Sequence, residues 1–295
     1  MRVITLYRHG LTMGTPNMKG NKTPSVRGEV LGWSKSATRR NIAFLRSADE
    51  NQIDVTEDGE LLFSVALTLT LRDCPETSDV WHKLRRSFLK RLERLGLYRS
   101  HWVTEWQRRG VPHLHGAFWF PMPSDQNPIP IITKCINHWL ELAAPHAAGA
   151  RSQHYNLIYD PVGWFQYVAK HASRGVQHYQ RSPENIPEGW KKTGRVWGYT
   201  GQWPLNDPDK IQLSDPEFFT YRRIVRAWRK SDARASNNRF RIRTARKMLK
   251  DNHADRSRLR GVSEWIPEDL ARLMLDVTKS INLGEGPALR EGPPG

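Results

Sequence analysis

"EWQRRGVPHLHGAFWF", residues 105–120, decides the fold, because it reads as two strands joined by a tight connection. Beyond "RRG", alternate residues fall on opposite faces of a strand. Leu114, Phe118 and Phe120 point one way, and Val111, His113, His115, Ala117 and Trp119 point the other. Two imidazoles side by side on one face can chelate a single cation. Glu105 lies across the connection, and directly opposed residues of an antiparallel pair share a face. Glu105 faces His113 if residues 108–110 form the loop, and His115 if the turn is centred on Gly110. A two-residue turn at Arg109 and Gly110 would set Glu105 against Leu114, on the wrong face. The spacing therefore predicts an odd-length loop or a bulge. Two neutral imidazoles and one carboxylate leave coordination positions open for water and substrate oxygen. Zinc, manganese and iron fit by ligand type; magnesium and manganese fit where the substrate supplies phosphate oxygens. A bare His-x-His on the wetter face of a strand needs no metal, and it is the carboxylate at workable spacing that favours a site.

Outward from this hairpin, "LLFSVALTLTL" (61–71) alternates strictly and predicts a strand with one face on a core. Val80, Leu84, Phe88, Leu92 and Leu95 recur at helical spacing, with Gly96 as the stop. A helix is expected from Ser34, another over 131–144, a short strand over 154–159, and one more strand in "GRVWGYTGQW". The order predicts an α+β domain over 33–210 with a central antiparallel sheet flanked by helices. Residues 1–32 read as an irregular N-terminal segment, 211–283 as a basic helical module and 284–295 as a disordered tail.

"DPVGWFQYVAKHASRG" (160–175) is a signposted helix, with Asp160 as N-cap, Pro161 at the first position and Gly175 past the end. It sets Tyr167, Lys170, His171 and Arg174 on one face at i, i+3, i+4 and i+7. Trp164, Phe165, Val168 and Ala172 cover the core side. A tyrosine on a basic face suits attack on a phosphodiester. A nearby lysine and a bound divalent cation both favour its phenolate. Most tyrosines on amphipathic helices simply pack the ring and wet the hydroxyl, so this face carries weight only beside the His pair.

Composition points to a polyanionic partner. The 295 residues carry 46 Lys and Arg against 30 Asp and Glu, a formal net charge of +16. Between Phe218 and Val262 fifteen Lys or Arg stand against three Asp, so phosphate contacts are expected there. Arg222, Arg223, Arg226 and Arg229 are expected along one side of a helix, with Arg241 and Arg243 beyond and Arg174 nearer the tyrosine. Trp102, Trp106 and Trp119 could stack on unpaired bases, with core packing the competing role. Two cysteines make no disulfide framework and lack CxxC spacing. No run approaches the roughly 18 apolar residues of a membrane span. The N-terminus lacks the apolar core of a secretory signal, so a cytoplasmic protein is expected.

Together these stretches resemble the HUH endonucleases, and most of all the rolling-circle replication initiators of filamentous phages and small plasmids. "FSVALTLTL" resembles the family's first strand motif, "EWQRRGVPHLHGAFWF" its metal motif and "YVAKHA" its YxxK motif, over about Ser34 to Trp203. The resemblance implies that His113 and His115 are metal ligands for Mn²⁺ or Mg²⁺, with Glu105 the third ligand by position. It implies Tyr167 as nucleophile and Lys170 as the residue that orients the phosphate or helps position tyrosine and metal. It implies a sheet with both His on its middle and the tyrosine helix packed across it. The activity implied is nicking and rejoining of single-stranded origin DNA through a 5′-phosphotyrosine, in the cytoplasm of a bacterial host. The chain departs from two-tyrosine members, since Tyr155 and Tyr159 precede the helix at the wrong spacing. It has no GxxxxGK[ST] loop, so unwinding is expected from a host helicase and extension from a host polymerase. The competing readings are a nucleic-acid-binding protein without chemistry, and a related transposase or relaxase.

Overall fold

The computed structural model describes residues 2–14, 30–173, 180–246 and 263–284. They fall into two compact units, Pro24–Leu205 and a discontinuous one joining Met1–Thr23 to Asn206–Gly295. The chain opens with strands β1 (Arg2–Tyr7) and β2 (Gly10–Gly14), paired antiparallel. This corrects the irregular reading of 1–32. Ile4 and Leu6 face Met13 and Leu11 across the pair, and all four are buried. That period-2 signal is short, and the Gly-, Lys- and Thr-rich stretch behind it outweighed it. Residues 15–29 of that segment lie outside the described residues.

In the larger unit the order is α1 (Lys35–Ser47), β3 (Leu62–Thr70), α2 (Ser78–Arg94), β4 (Arg99–Trp106) and β5 (Pro112–Pro121). There follow α3 (Ile129–Ala143), β6 (His154–Leu157), α4 (Pro161–Ser173) and β7 (Trp197–Thr200). The sheet runs β6-β3-β5-β4-β7, antiparallel throughout, with the histidine strand β5 at its centre. The α+β class and the flanked central sheet are thus as the patterning predicted. Ser34 caps α1 through the Ala37 N–H at 3.0 Å, and Asp160 accepts from the Gly163 N–H at 2.9 Å at the start of α4.

One sheet face is apolar. Val65, Leu67, Leu69, Leu114, Phe118 and Trp106 pack with Trp81, Phe88 and Leu92 of α2 and Trp139 of α3. Each such side chain contributes about 2 kcal/mol when fully buried. Trp102 and Trp106 lie in this core and Trp119 is fully buried on the other face. The three are therefore packing residues and not platforms for bases. The opposite face carries Thr68, Glu105, His113 and His115, with α1 and α4 packed against each other over part of it. Phe44 of α1 stacks on Tyr199 at 4.3 Å, and Phe165 of α4 reaches Trp203, which packs on Trp119.

The smaller unit completes the sheet begun by the N-terminal hairpin, in the order β8-β1-β2-β9, with β8 (Asp209–Leu213) and β9 (Ser263–Glu264) from the far end of the chain. Against it pack α5 (Asp215–Ala235) and α7 (Glu268–Leu283), while α6 (Arg239–Arg246) follows α5. The expected helical module of 211–283 is therefore also part of a sheet. An amphipathic α5 needs an apolar surface to cover, and here Ile4, Leu6, Leu11 and Met13 supply it for Phe218 and Val225. Residues 247–262 of the basic run and the expected tail 285–295 lie outside the described residues.

Candidate active site

The β4–β5 connection sets the register. Glu105 is paired with His113, Trp106 with Pro112, and the Gln107 N–H donates to the Val111 carbonyl at 2.9 Å, so residues 108–110 form a three-residue loop. Gly110 sits at φ +77°, the left-handed position that closes such a loop. The odd length expected from the spacing is what brings Glu105 onto the imidazole face.

Glu105, His113 and His115 form a cluster whose ligating atoms all lie within 4.8 Å of one another. The two Nε2 atoms are 2.8 Å apart, and Glu105 Oε2 is 4.0 Å from that of His113 and 3.6 Å from that of His115. Glu105 is buried, and its Oε2 has no hydrogen-bond partner among the described residues. A buried carboxylate oxygen is costly to leave unpaired, and a cation would supply the missing partner. The donor set of two imidazoles and one carboxylate suits zinc, manganese or iron by ligand type. These residues therefore fit a divalent cation.

Neighbouring strands orient the cluster. Thr68, opposite His115 on β3, places its Oγ1 2.9 Å from His115 Nδ1. With Nδ1–H donating to that oxygen, Nε2 keeps its lone pair for a metal. Burial, and secondarily the charge of Arg181, pushes the His115 imidazole down to about 4, so it is neutral near pH 7, as ligation requires.

Arg181 was not legible in the sequence, because it sits in a segment without periodicity between α4 and β7. It is buried. Its Nε donates to Glu105 Oε1 at 2.9 Å, and its Nη2 lies 2.8 Å from the same oxygen as an ion-pair contact. The same Nη2 reaches the Val168 carbonyl at 3.1 Å, and the guanidinium lies 3.9 Å from the Trp33 ring centroid. Trp33 is itself held by its indole N–H on the Thr104 carbonyl at 2.8 Å. Removing one partner of such a buried ion pair costs about 3–5 kcal/mol.

Tyr167 precedes Val168 on α4, is about half exposed, and stands 5.6 Å from Trp164, centroid to centroid. The backbone beside Tyr167 is thus one guanidinium away from the carboxylate of the cluster. Of the residues expected on the core side of the helix, Phe165 and Val168 are buried, Trp164 is half-buried and the side chain of Ala172 lies outside the described residues, while Ala169 is buried as well. The side chain of Lys170, and Arg174 altogether, lie outside the described residues.

The basic side of α5 divides. Arg223 and Arg226 line a surface groove with Lys230 and Arg234, which Ile242 of α6 borders. Arg229 instead pairs with Glu264 at 2.5 Å, and Arg222 is partly buried. On α6, Arg243 is exposed and Arg241 pairs with Asp232 at 3.0 Å. Of the four arginines expected along one side of α5, Arg223 and Arg226 thus line the groove, while Arg229 is taken up by Glu264 and Arg222 is partly buried. The groove follows i, i+4 spacing from Arg226 through Lys230 to Arg234, two cations that only the structure singles out.

Among known proteins, the sequence model of the replication-associated protein ORF2 family matches residues 64–176. The chain is 50% identical over 283 residues to the replication-associated protein of Pseudomonas phage Pf3, covering 95% of this chain and 98% of that one. It is 50% identical over 274 residues to a putative replication protein of Xylella fastidiosa strain 9a5c, covering 90% of this chain and 93% of that one. A second putative replication protein, from X. fastidiosa strain Temecula1, is 49% identical over 272 residues, with 90% and 99% covered. No solved structure matches the chain.

Proposed function

The chain belongs to the replication-associated protein ORF2 family and is a replication initiator, and on that premise we propose that it nicks and rejoins single-stranded origin DNA in rolling-circle replication. The observation that carries this reading is the buried Glu105–His113–His115 cluster, whose carboxylate is tied through Arg181 to the backbone beside Tyr167. Tyr167 is the residue next to that tie, and its side chain is about half exposed and so open to a strand of DNA.

In this mechanism His113, His115 and Glu105 would hold Mn²⁺ or Mg²⁺. When bound, the cation polarises the phosphate and favours the phenolate. The Tyr167 oxygen attacks phosphorus, the P–O3′ bond breaks, and a free 3′-OH leaves while the 5′ phosphate stays on the tyrosine. The reverse attack by a 3′-OH restores the phosphodiester and frees Tyr167. Bond energy is conserved in the phosphotyrosine, so the chemistry needs no nucleotide hydrolysis. Lys170, one helical turn beyond Tyr167, orients the phosphate. The basic groove of α5 neutralises phosphates of the bound DNA. Host helicase opens the duplex and host polymerase extends the 3′-OH, both in the host cytoplasm.

The test is direct. The protein is incubated with Mn²⁺ and 3′-end-labelled single-stranded DNA spanning the origin, and denaturing gels are read for a protein-linked label. Wild type yields the adduct and Tyr167→Phe yields none. An adduct that persists in Tyr167→Phe removes Tyr167 as nucleophile; absence of adduct and of cleavage in wild type removes the nicking reading.

A further inference from the structure

We propose that Arg181 is a positioning residue that holds Glu105 to one-oxygen ligation and sets the tyrosine helix against the cation. The proposal rests on the nicking reading for its second half only. Its ground is the form of the contact. Arg181 Nε donates to Glu105 Oε1 and Nη2 lies 2.8 Å from that same oxygen, which leaves Oε2 to face His113 and His115. A guanidinium facing a carboxylate usually takes one oxygen per N–H. Here the side-on grip divides the carboxylate between two tasks, one oxygen for the arginine and one for the cation.

Nη2 also holds the Val168 carbonyl, and Val168 follows Tyr167. One rigid planar group therefore fixes the distance between a ligand and the backbone of the nucleophile. The group itself cannot drift, because it lies over the Trp33 ring and is almost wholly buried. A lysine could replace the charge but not this geometry, since a single ammonium lacks the fork.

The arrangement has a cost that makes it testable. A fixed positive charge beside Glu105 opposes a divalent cation, so Arg181 weakens metal binding while it improves placement of the phenol. A residue that only supported the fold would do neither separately. Arg181→Met and Arg181→Lys are compared with wild type by Mn²⁺ titration, by the Mn²⁺ electron paramagnetic resonance spectrum, by thermal unfolding without metal, and by adduct formation at saturating Mn²⁺. In Arg181→Met, Mn²⁺ binds as tightly as in wild type or more so. Its spectrum changes as Glu105 becomes free to use both oxygens, and the adduct rate falls about 10- to 100-fold. Arg181→Lys restores the melting temperature in large part but not the rate. If Arg181→Met does not fold, the Lys variant decides by the same split.

A parallel loss of Mn²⁺ affinity, melting temperature and adduct rate would reduce Arg181 to a structural ion pair. An unchanged spectrum would overturn the claim about Glu105, and an adduct rate within about threefold of wild type would overturn the claim about the helix. The Mn²⁺ readouts need no nicking. A wild type that binds Mn²⁺ and forms no adduct would thus sink the nicking reading, while the spectra still decide the ligation of Glu105.

Discussion

His101 shows how the site face treats a histidine that is not a ligand. It sits on β4 four residues before Glu105, is fully buried, and holds Asn41 Oδ1 at 2.7 Å through Nε2. Burial, then the charge of Arg181, depresses its imidazole to about 3. The unfolded chain protonates this histidine near pH 6.5, but the folded chain does not until far lower pH, so the unfolded state binds more protons in between. The contribution is complete above about pH 6.5 and is lost as pH falls toward 3. Urea titrations of the metal-free protein are therefore expected to show stability declining from pH 7 to 4. His101→Gln, which keeps a donor for Asn41, lowers that slope by one proton. An identical slope in the variant would mean that His101 is not held neutral. The same depression keeps the His115 imidazole neutral, the form that a cation would need.

For the hairpin β4–β5, register is the whole matter. A shift by one residue would turn His113 and His115 into the core and bring Leu114 and Phe118 onto the site face. Gly110 guards against that, because its φ of +77° closes the three-residue loop. Gly110→Ala forces a β-carbon into the left-handed region at about 1–2 kcal/mol. Chemical denaturation should register that loss, and Mn²⁺ affinity should fall with it as Glu105 slips relative to His113. A variant that loses stability but binds Mn²⁺ as wild type does would show that strand pairing alone holds the register. On β7 the constraint is contact instead of torsion: a Cβ built at Gly198 would lie 2.6 Å from the buried Trp102 ring, directly opposite on β4.

Across the whole chain, chemistry and charge are placed in different units. The cation cluster and the tyrosine helix belong to the unit of 24–205, and the groove of Arg223, Arg226, Lys230 and Arg234 belongs to the unit completed by the N-terminal hairpin. No described helix is long and apolar enough to cross a membrane. If the groove binds phosphates, the triple substitution Arg226→Ala, Lys230→Ala, Arg234→Ala lowers the slope of log affinity against log salt by about 2–3, because each cation that neutralises a phosphate releases about one counterion. The measurement is DNA binding by anisotropy between low and moderate salt. An unchanged slope would assign the phosphate contacts elsewhere on the chain.

The hairpin, the odd loop, the face shared by Glu105, His113 and His115, and the helix bearing Tyr167 were determined by the sequence alone. Each rests on a period of two or 3.6 residues, or on a turn residue, that neighbours in the chain impose on one another. The partners of those residues were decided by tertiary structure. Thr68 meets His115 only through the register of β3 on β5, and Arg181 reaches Glu105 from a loop with no pattern. Residues 2–14 find their sheet with strands some two hundred residues away. Such pairings depend on which surfaces remain to be covered once every element has formed, and no local spacing encodes that.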